Sequence, residues 1–191
     1  MKGNVVLGVG GSRSGKSQLA ESIAGQMGGC ITYIATTAVR DEEMAERVKL
    51  HRLRRPQGWK TVEEEKDVLG VISNGKEGDV FLLDCVTVWI TNLILDNQLT
   101  DLKTAEKEQY IMEQVIELAA TVERGTHLIL VSNEVGLGLV PEYPLGRVFR
   151  DLAGRVNQAL AAKADQVYFS IAGLPLEIKS NGKLRSGVIN N

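Results

Sequence analysis

Eight consecutive residues, Gly10-Gly11-Ser12-Arg13-Ser14-Gly15-Lys16-Ser17, follow the spacing G-x-x-x-x-G-K-[ST]. Glycines in such a run let the backbone turn so that successive N–H groups face inward toward an anion. A helix opening behind them adds unpaired N–H groups and its positive dipole end. Lys16 would then reach the β- and γ-phosphates of a nucleotide, and the Ser17 hydroxyl would bind Mg²⁺. The context is right for this: "NVVLGV" (Asn4–Val9) reads as a buried strand, and "KSQLAESIAGQM" (Lys16–Met27) as a helix ended by Gly28-Gly29.

Three further sites have residue types suited to phosphoryl chemistry. Asp84 closes the apolar run "DVFLLD". There it would help hold a magnesium ion, or else cap the helix that follows. Glu134 ends "HLILVSNE" and would orient a water or an acceptor hydroxyl, or cap a turn. His51 shares a helical face with Met44 and Val48, which suits a histidine packed beside a core stripe. The sharper reading has it attack phosphorus as a neutral imidazole, with Arg52, Arg54 and Arg55 steadying the phosphate oxygens; from the residues alone the packing reading is favoured. The other histidine, His127, opens a buried strand and reads as structural. The guanine-reading sequence N-K-x-D is absent.

The elements that must position these groups alternate. Further strands are expected at Cys30–Thr36, 59–64, Asp79–Asp84, His127–Glu134, 165–173 and, as a last edge strand, 174–179. Helices are expected at Asp41–Arg55, 68–73, 86–97, 104–123 and Leu145–Ala164. Strands that are apolar throughout and separated by helices indicate an α/β fold, a mostly parallel sheet with helices on both faces.

A chain of 191 residues suits one domain with a sizeable core. The 22 basic and 24 acidic residues leave a formal charge of −2, so nothing global points to nucleic acid, and the basic cluster at 51–55 suits a small anion. Cys30 and Cys85 are isolated, which argues against a disulfide framework or a zinc site. The glycine-broken start is too short in apolar residues for a signal segment or a membrane span, so a cytoplasmic protein is expected.

Taken together, "GGSRSGKS", "YIATT", "DEEMAERVKLHRLRRPQGW", "TVEE", "LLDCVTVWITNL", "VSNEVGLGLVP", "GRVFRDLAGRVNQALAAKADQVYF" and "GLPLEIK" resemble the bifunctional adenosylcobinamide kinases / adenosylcobinamide-phosphate guanylyltransferases of vitamin B12 biosynthesis. The resemblance runs along nearly the whole chain. It implies one catalytic domain over residues 1–191 with a phosphate-loop NTPase-like fold of the RecA type. It implies two reactions: phosphorylation of adenosylcobinamide by ATP or GTP, then transfer of GMP from GTP to adenosylcobinamide phosphate through a guanylylated histidine, matched here by His51. Nucleotide contacts carry over to Gly10–Ser17, to Ala35, Thr36 and Thr37, to Arg52, Leu53, Arg54 and Arg55, to Glu63, and to Asp84 and Cys85. Glu63 would accept hydrogen bonds from guanine N1–H and N2–H₂; by its composition alone it is a solvated acid in "EEEK". A homo-oligomer, with a trimer as the expected number, is implied too. Two other readings compete: a phosphate-loop small-molecule kinase with no covalent nucleotide, and a nucleotide-dependent regulatory switch. Trp59, Trp89 and Tyr143 could line an acceptor site or be ordinary packing residues.

Overall fold

The structure is a computed structural model that describes residues 2–37, 46, 56–99 and 101–185. The described strands form one sheet of eight: β1 (Val5–Gly10), β2 (Ile31–Ala35), β3 (Lys60–Glu63), β4 (Val80–Asp84), β5 (His127–Asn133), β6 (Gln166–Ile171), β7 (Leu174–Ser180) and β8 (Lys183–Leu184). Their order is β3-β2-β4-β5-β1-β6-β7-β8. Pairing is parallel from β3 through β6 and antiparallel for β6-β7-β8. One strand, β5, separates β1 from β4, which is the RecA-type arrangement. The run at 174–179 is therefore not the sheet's last strand: β8 pairs outside it. The tight turn at Asn181-Gly182, both with positive φ, returns the chain to make that extra pairing.

The helices are α1 (Lys16–Met27), α2 (Val68–Ser73), α3 (Val86–Ile94), α4 (Thr104–Ala120) and α5 (Pro144–Lys163). The helix expected over 41–55 lies outside the described residues, apart from Glu46, which is helical. Strand side chains alternate between two cores, as pleating requires. Leu7, Phe81, Leu83, Leu128 and Leu130 join one core with Trp89 of α3, Val115 of α4 and Leu152 of α5. Val6, Leu82, Ile129 and Val131 join the other with Ala20 and Ala24 of α1. The small alanines let α1 sit close against the sheet, and so the loop that precedes it is held tightly to the end of β1. Among the described residues, no helix is long and apolar enough to cross a membrane.

Candidate active site

All five parallel strands from β3 to β1 end on the same edge of the sheet, and the described candidates for nucleotide and metal binding lie there. In open α/β sheets this carboxyl edge is where ligands bind. Gly10 ends β1, and α1 begins at Lys16, so residues 11–15 form the loop between them. Close packing shapes that loop. A Cβ on Gly10 would stand 2.6 Å from Ser14 Oγ and from the Ser170 carbonyl oxygen. Gly15 has φ +93°, and a side chain there would press on Gly173, whose N–H donates to the Ser14 carbonyl at 3.0 Å. The β6–β7 turn thus supports the loop from behind.

Lys16 is buried, and its Nζ donates to the Gly11 carbonyl at 2.9 Å. Burial pulls its pKa below the ordinary ammonium value, while the nearby charge of Asp84, and less that of Cys85, pushes it back up. Asp84 does not cap α3. The cap position belongs to Cys85, and Asp84 Oδ2 accepts from the Tyr33 hydroxyl at 2.8 Å. With Ser17 at the start of α1, the carboxylate offers the hard oxygen donors that suit Mg²⁺. Such an ion takes one or two protein ligands and completes its shell with phosphate and water. Among the described residues no cluster of three or more His, Cys, Asp or Glu could hold a metal alone.

Ala35, Thr36 and Thr37 leave the end of β2 beside Asp84. Thr36 is fully buried, and its hydroxyl both donates to the Cys85 carbonyl and accepts from the Cys85 N–H, each at 2.9 Å. It therefore ties β2 to β4, with Asn92 of α3 holding its carbonyl at 2.9 Å. Cys85 is buried as well, and burial first, then Asp84, pushes its thiol pKa up. That thiol is a packing group beside Thr87, 3.2 Å away. Glu63 ends β3 as an exposed residue, with β2, β4 and β5 between it and β1. His51, Arg52, Leu53, Arg54 and Arg55 lie outside the described residues.

Residues that motif reading missed complete the arrangement. Tyr33 holds Asp84 from the middle of an apolar strand. Asn133 pairs in register with Gly10 and donates to Thr87 Oγ1 at 2.7 Å. Asn157, on α5, accepts from Ser132 Oγ at 2.6 Å and donates to the Asn133 carbonyl at 3.3 Å. The polar "SN" closing an otherwise apolar strand was the one available signal; Asn157 had none. His127 accepts from the Asn4 N–H at the opposite edge of the sheet, as expected of a structural residue. Trp89 is core, Trp59 packs partly buried beside the α1-side core, and Tyr143 is exposed just before α5.

A parallel α/β sheet of RecA-type order, with a glycine-rich loop and buried lysine beside a strand-end aspartate, defines a phosphate-loop protein that handles nucleoside triphosphates. Its fold matches a solved protein of Pyrococcus horikoshii OT3 at a TM-score of 0.50, covering 99% of this chain and 95% of that one, with 11% identity. Residues 6–178 match the family described as cobinamide kinase / cobinamide phosphate guanyltransferase (CobU), and the chain belongs to it. It is 42% identical over 182 residues to the bifunctional adenosylcobalamin biosynthesis protein CobU of Escherichia coli K12, covering 92% of this chain and 99% of that protein. It is 42% identical over 174 residues to the corresponding CobP of Pseudomonas aeruginosa, covering 90% and 95%, and 40% identical over 182 residues to CobU of Salmonella typhimurium, covering 92% and 99%.

Proposed function

We propose that residues 1–191 act as one catalytic domain that performs both family reactions at the carboxyl edge of the sheet. In the first, adenosylcobinamide is phosphorylated on its aminopropanol hydroxyl by ATP or GTP. In the second, GTP yields its GMP unit to the new phosphate, leaving adenosylcobinamide-GDP and pyrophosphate. The observation that carries this reading is the convergence of the Gly10–Ser17 loop, buried Lys16 and Asp84 at one strand edge.

The loop's N–H groups and Lys16 hold the β- and γ-phosphates. Ser17 and Asp84 would hold Mg²⁺, which supplies charge neutralisation on the phosphates. His51 attacks the α-phosphorus, and Arg52, Arg54 and Arg55 steady the charge on the leaving pyrophosphate. A phosphoramidate is a high-energy adduct, so the phosphate of the acceptor displaces the histidine readily. Ala35 and Thr37 border the nucleotide at the end of β2, while Thr36 and Cys85 hold the strands that frame it. Exposed Glu63 accepts from the guanine edge, which selects GTP over ATP in the second reaction.

The test is incubation with Mg²⁺ and GTP labelled at the α-phosphate, followed by denaturation. Label should stay on the wild-type chain in alkali, leave it in acid, and be missing from His51→Ala. An unlabelled wild type that binds GTP would reduce the protein to a plain kinase.

A further inference from the structure

We propose that the cavity beside the phosphate loop receives the hydroxyl-bearing arm of the acceptor, and that Glu134 is the base that takes its proton. This rests on the two-reaction reading above and assigns the groups that serve its first half.

Glu134 follows β5 directly, and its N–H donates to the Gly10 carbonyl at 3.0 Å, so it is fastened to the start of the phosphate loop. Its carboxylate is aimed by the backbone: Oε1 accepts from the Gly136 N–H at 2.7 Å. Gly136 is held in turn by Arg150 of α5, which donates to its carbonyl at 2.5 Å. One carboxylate oxygen is thereby anchored, and Oε2 is left to accept a proton.

Next to it lies a cavity of about 280 Å³, lined among others by Ser12, Asn133, Glu134, Val88, Val135 and Phe149. Ser12 belongs to the phosphate loop, so the cavity adjoins the triphosphate position. Its volume lies below the roughly 300–1,000 Å³ that drug-sized ligands fill. It suits a short alkyl arm with one hydroxyl rather than a macrocycle: apolar walls for the carbons, and Asn133 and Glu134 for the oxygen.

The chemistry separates the two reactions. In phosphoryl transfer the alcohol oxygen forms a bond to the γ-phosphorus while its proton passes to Glu134 Oε2. The bond between the γ-phosphorus and its bridging oxygen breaks, and the electron pair leaves on the nucleoside diphosphate. Guanylyl transfer needs no such base, because its nucleophiles are a neutral imidazole and an ionised phosphate. A carboxylate poised beside the loop therefore matters to one half of the cycle alone.

Two variants test this. Glu134→Gln removes the base at constant shape. Gly136→Ala places a Cβ 2.8 Å from Glu134 Oε1 and pushes the carboxylate aside without removing it. Phosphorylation of the acceptor and guanylyl transfer from GTP to preformed acceptor phosphate are measured separately. General-base loss costs on the order of 10²–10⁴-fold. Glu134→Gln should lower kcat for phosphorylation by at least about 100-fold with little change in KM for ATP. Gly136→Ala should lower it in the same direction. Guanylyl transfer should stay within a few-fold of wild type. Phosphorylation at near wild-type kcat, or a parallel loss of both reactions, would overturn the assignment. A wild type that transfers guanylyl but never phosphorylates would overturn it while leaving the His51 chemistry intact. A wild type inactive in both would sink the underlying reading.

Discussion

Lys16 is a buried cation at the heart of the described site. Burial depresses its pKa, so between that value and the ordinary 10.5 the unfolded chain binds more protons than the native one. Stability from this group consequently rises as pH rises through that window: the charged ammonium is a cost to the unliganded fold. A bound triphosphate supplies the missing counter-charge and raises the pKa again. Nucleotide binding at alkaline pH should then take up a proton, and affinity should fall as pH climbs past the depressed value. Titration calorimetry in buffers of differing ionisation heat measures this directly. Proton uptake should be present in the wild type and lost in Lys16→Met; equal heats in all buffers for the wild type would contradict it. The lysine and its loop were legible as a motif because all their determinants lie within eight residues. Its counter-charge was only half legible. Asp84 was visible as a strand-end acid with two possible roles; the cap position falls to Cys85, and the carboxylate accepts from the Tyr33 hydroxyl 2.8 Å away instead.

At the scale of elements, α3 turns a core interaction into site geometry. It starts immediately after Asp84-Cys85, and Trp89, fully buried at its centre, donates from Nε1 to the Lys66 carbonyl at 2.9 Å. Asn92, one turn on, bridges the carbonyls of Thr36 and Glu65. The helix thus fixes the ends of β2, β3 and β4 together. Trp89→Ala should destabilise the protein by about 3–5 kcal/mol through the cavity it leaves. Trp89→Phe keeps most of the volume but strands a partly buried carbonyl, at about 1–3 kcal/mol. Urea denaturation would show both as lower midpoints with an unchanged slope; a wild-type midpoint for Trp89→Phe would mean the indole hydrogen bond contributes nothing. The apolar character of 86–97 made this helix easy to expect. Its end at Ile94 rather than 97 was not: Leu95 caps the helix with its N–H still on the Thr91 carbonyl, and the Asp96 N–H turns to Leu93 instead of Asn92, leading into the short turn at Asn97–Leu99.

For the whole molecule, the exposed large apolar side chains among the described residues include two groups: Leu137, Leu139, Val140 and Tyr143 after β5, and Ile171, Leu174, Leu176 and Leu184 on the antiparallel arm. Large exposed apolar patches mark contact with another molecule. The homo-oligomer we favour would cover part of this surface. Sedimentation at micromolar concentration should give three times the mass of the chain, and Leu174→Asp should lower that mass if the antiparallel arm forms the contact. A monomer under those conditions would refute the assembly.

What the sequence determined by itself was the phosphate loop and the alternation of apolar strands with helices, each set by residue types at short spacing, and the family, carried by such short segments along nearly the whole chain. The tertiary structure alone decided which strands are neighbours. It brought Gly10 opposite Asn133, fastened Thr36 to Cys85, and delivered Asn157 and Arg150 from α5 to the end of β5. The physical reason is that strand order and side-chain-to-backbone bonds join residues far apart in the chain. Hydrophobic period reports which face of an element is buried and is silent about which element covers it. Glu134 shows the difference: as a strand-end acid it had two readings, and only its ties to Gly10 and Gly136 set it at the mouth of the phosphate loop.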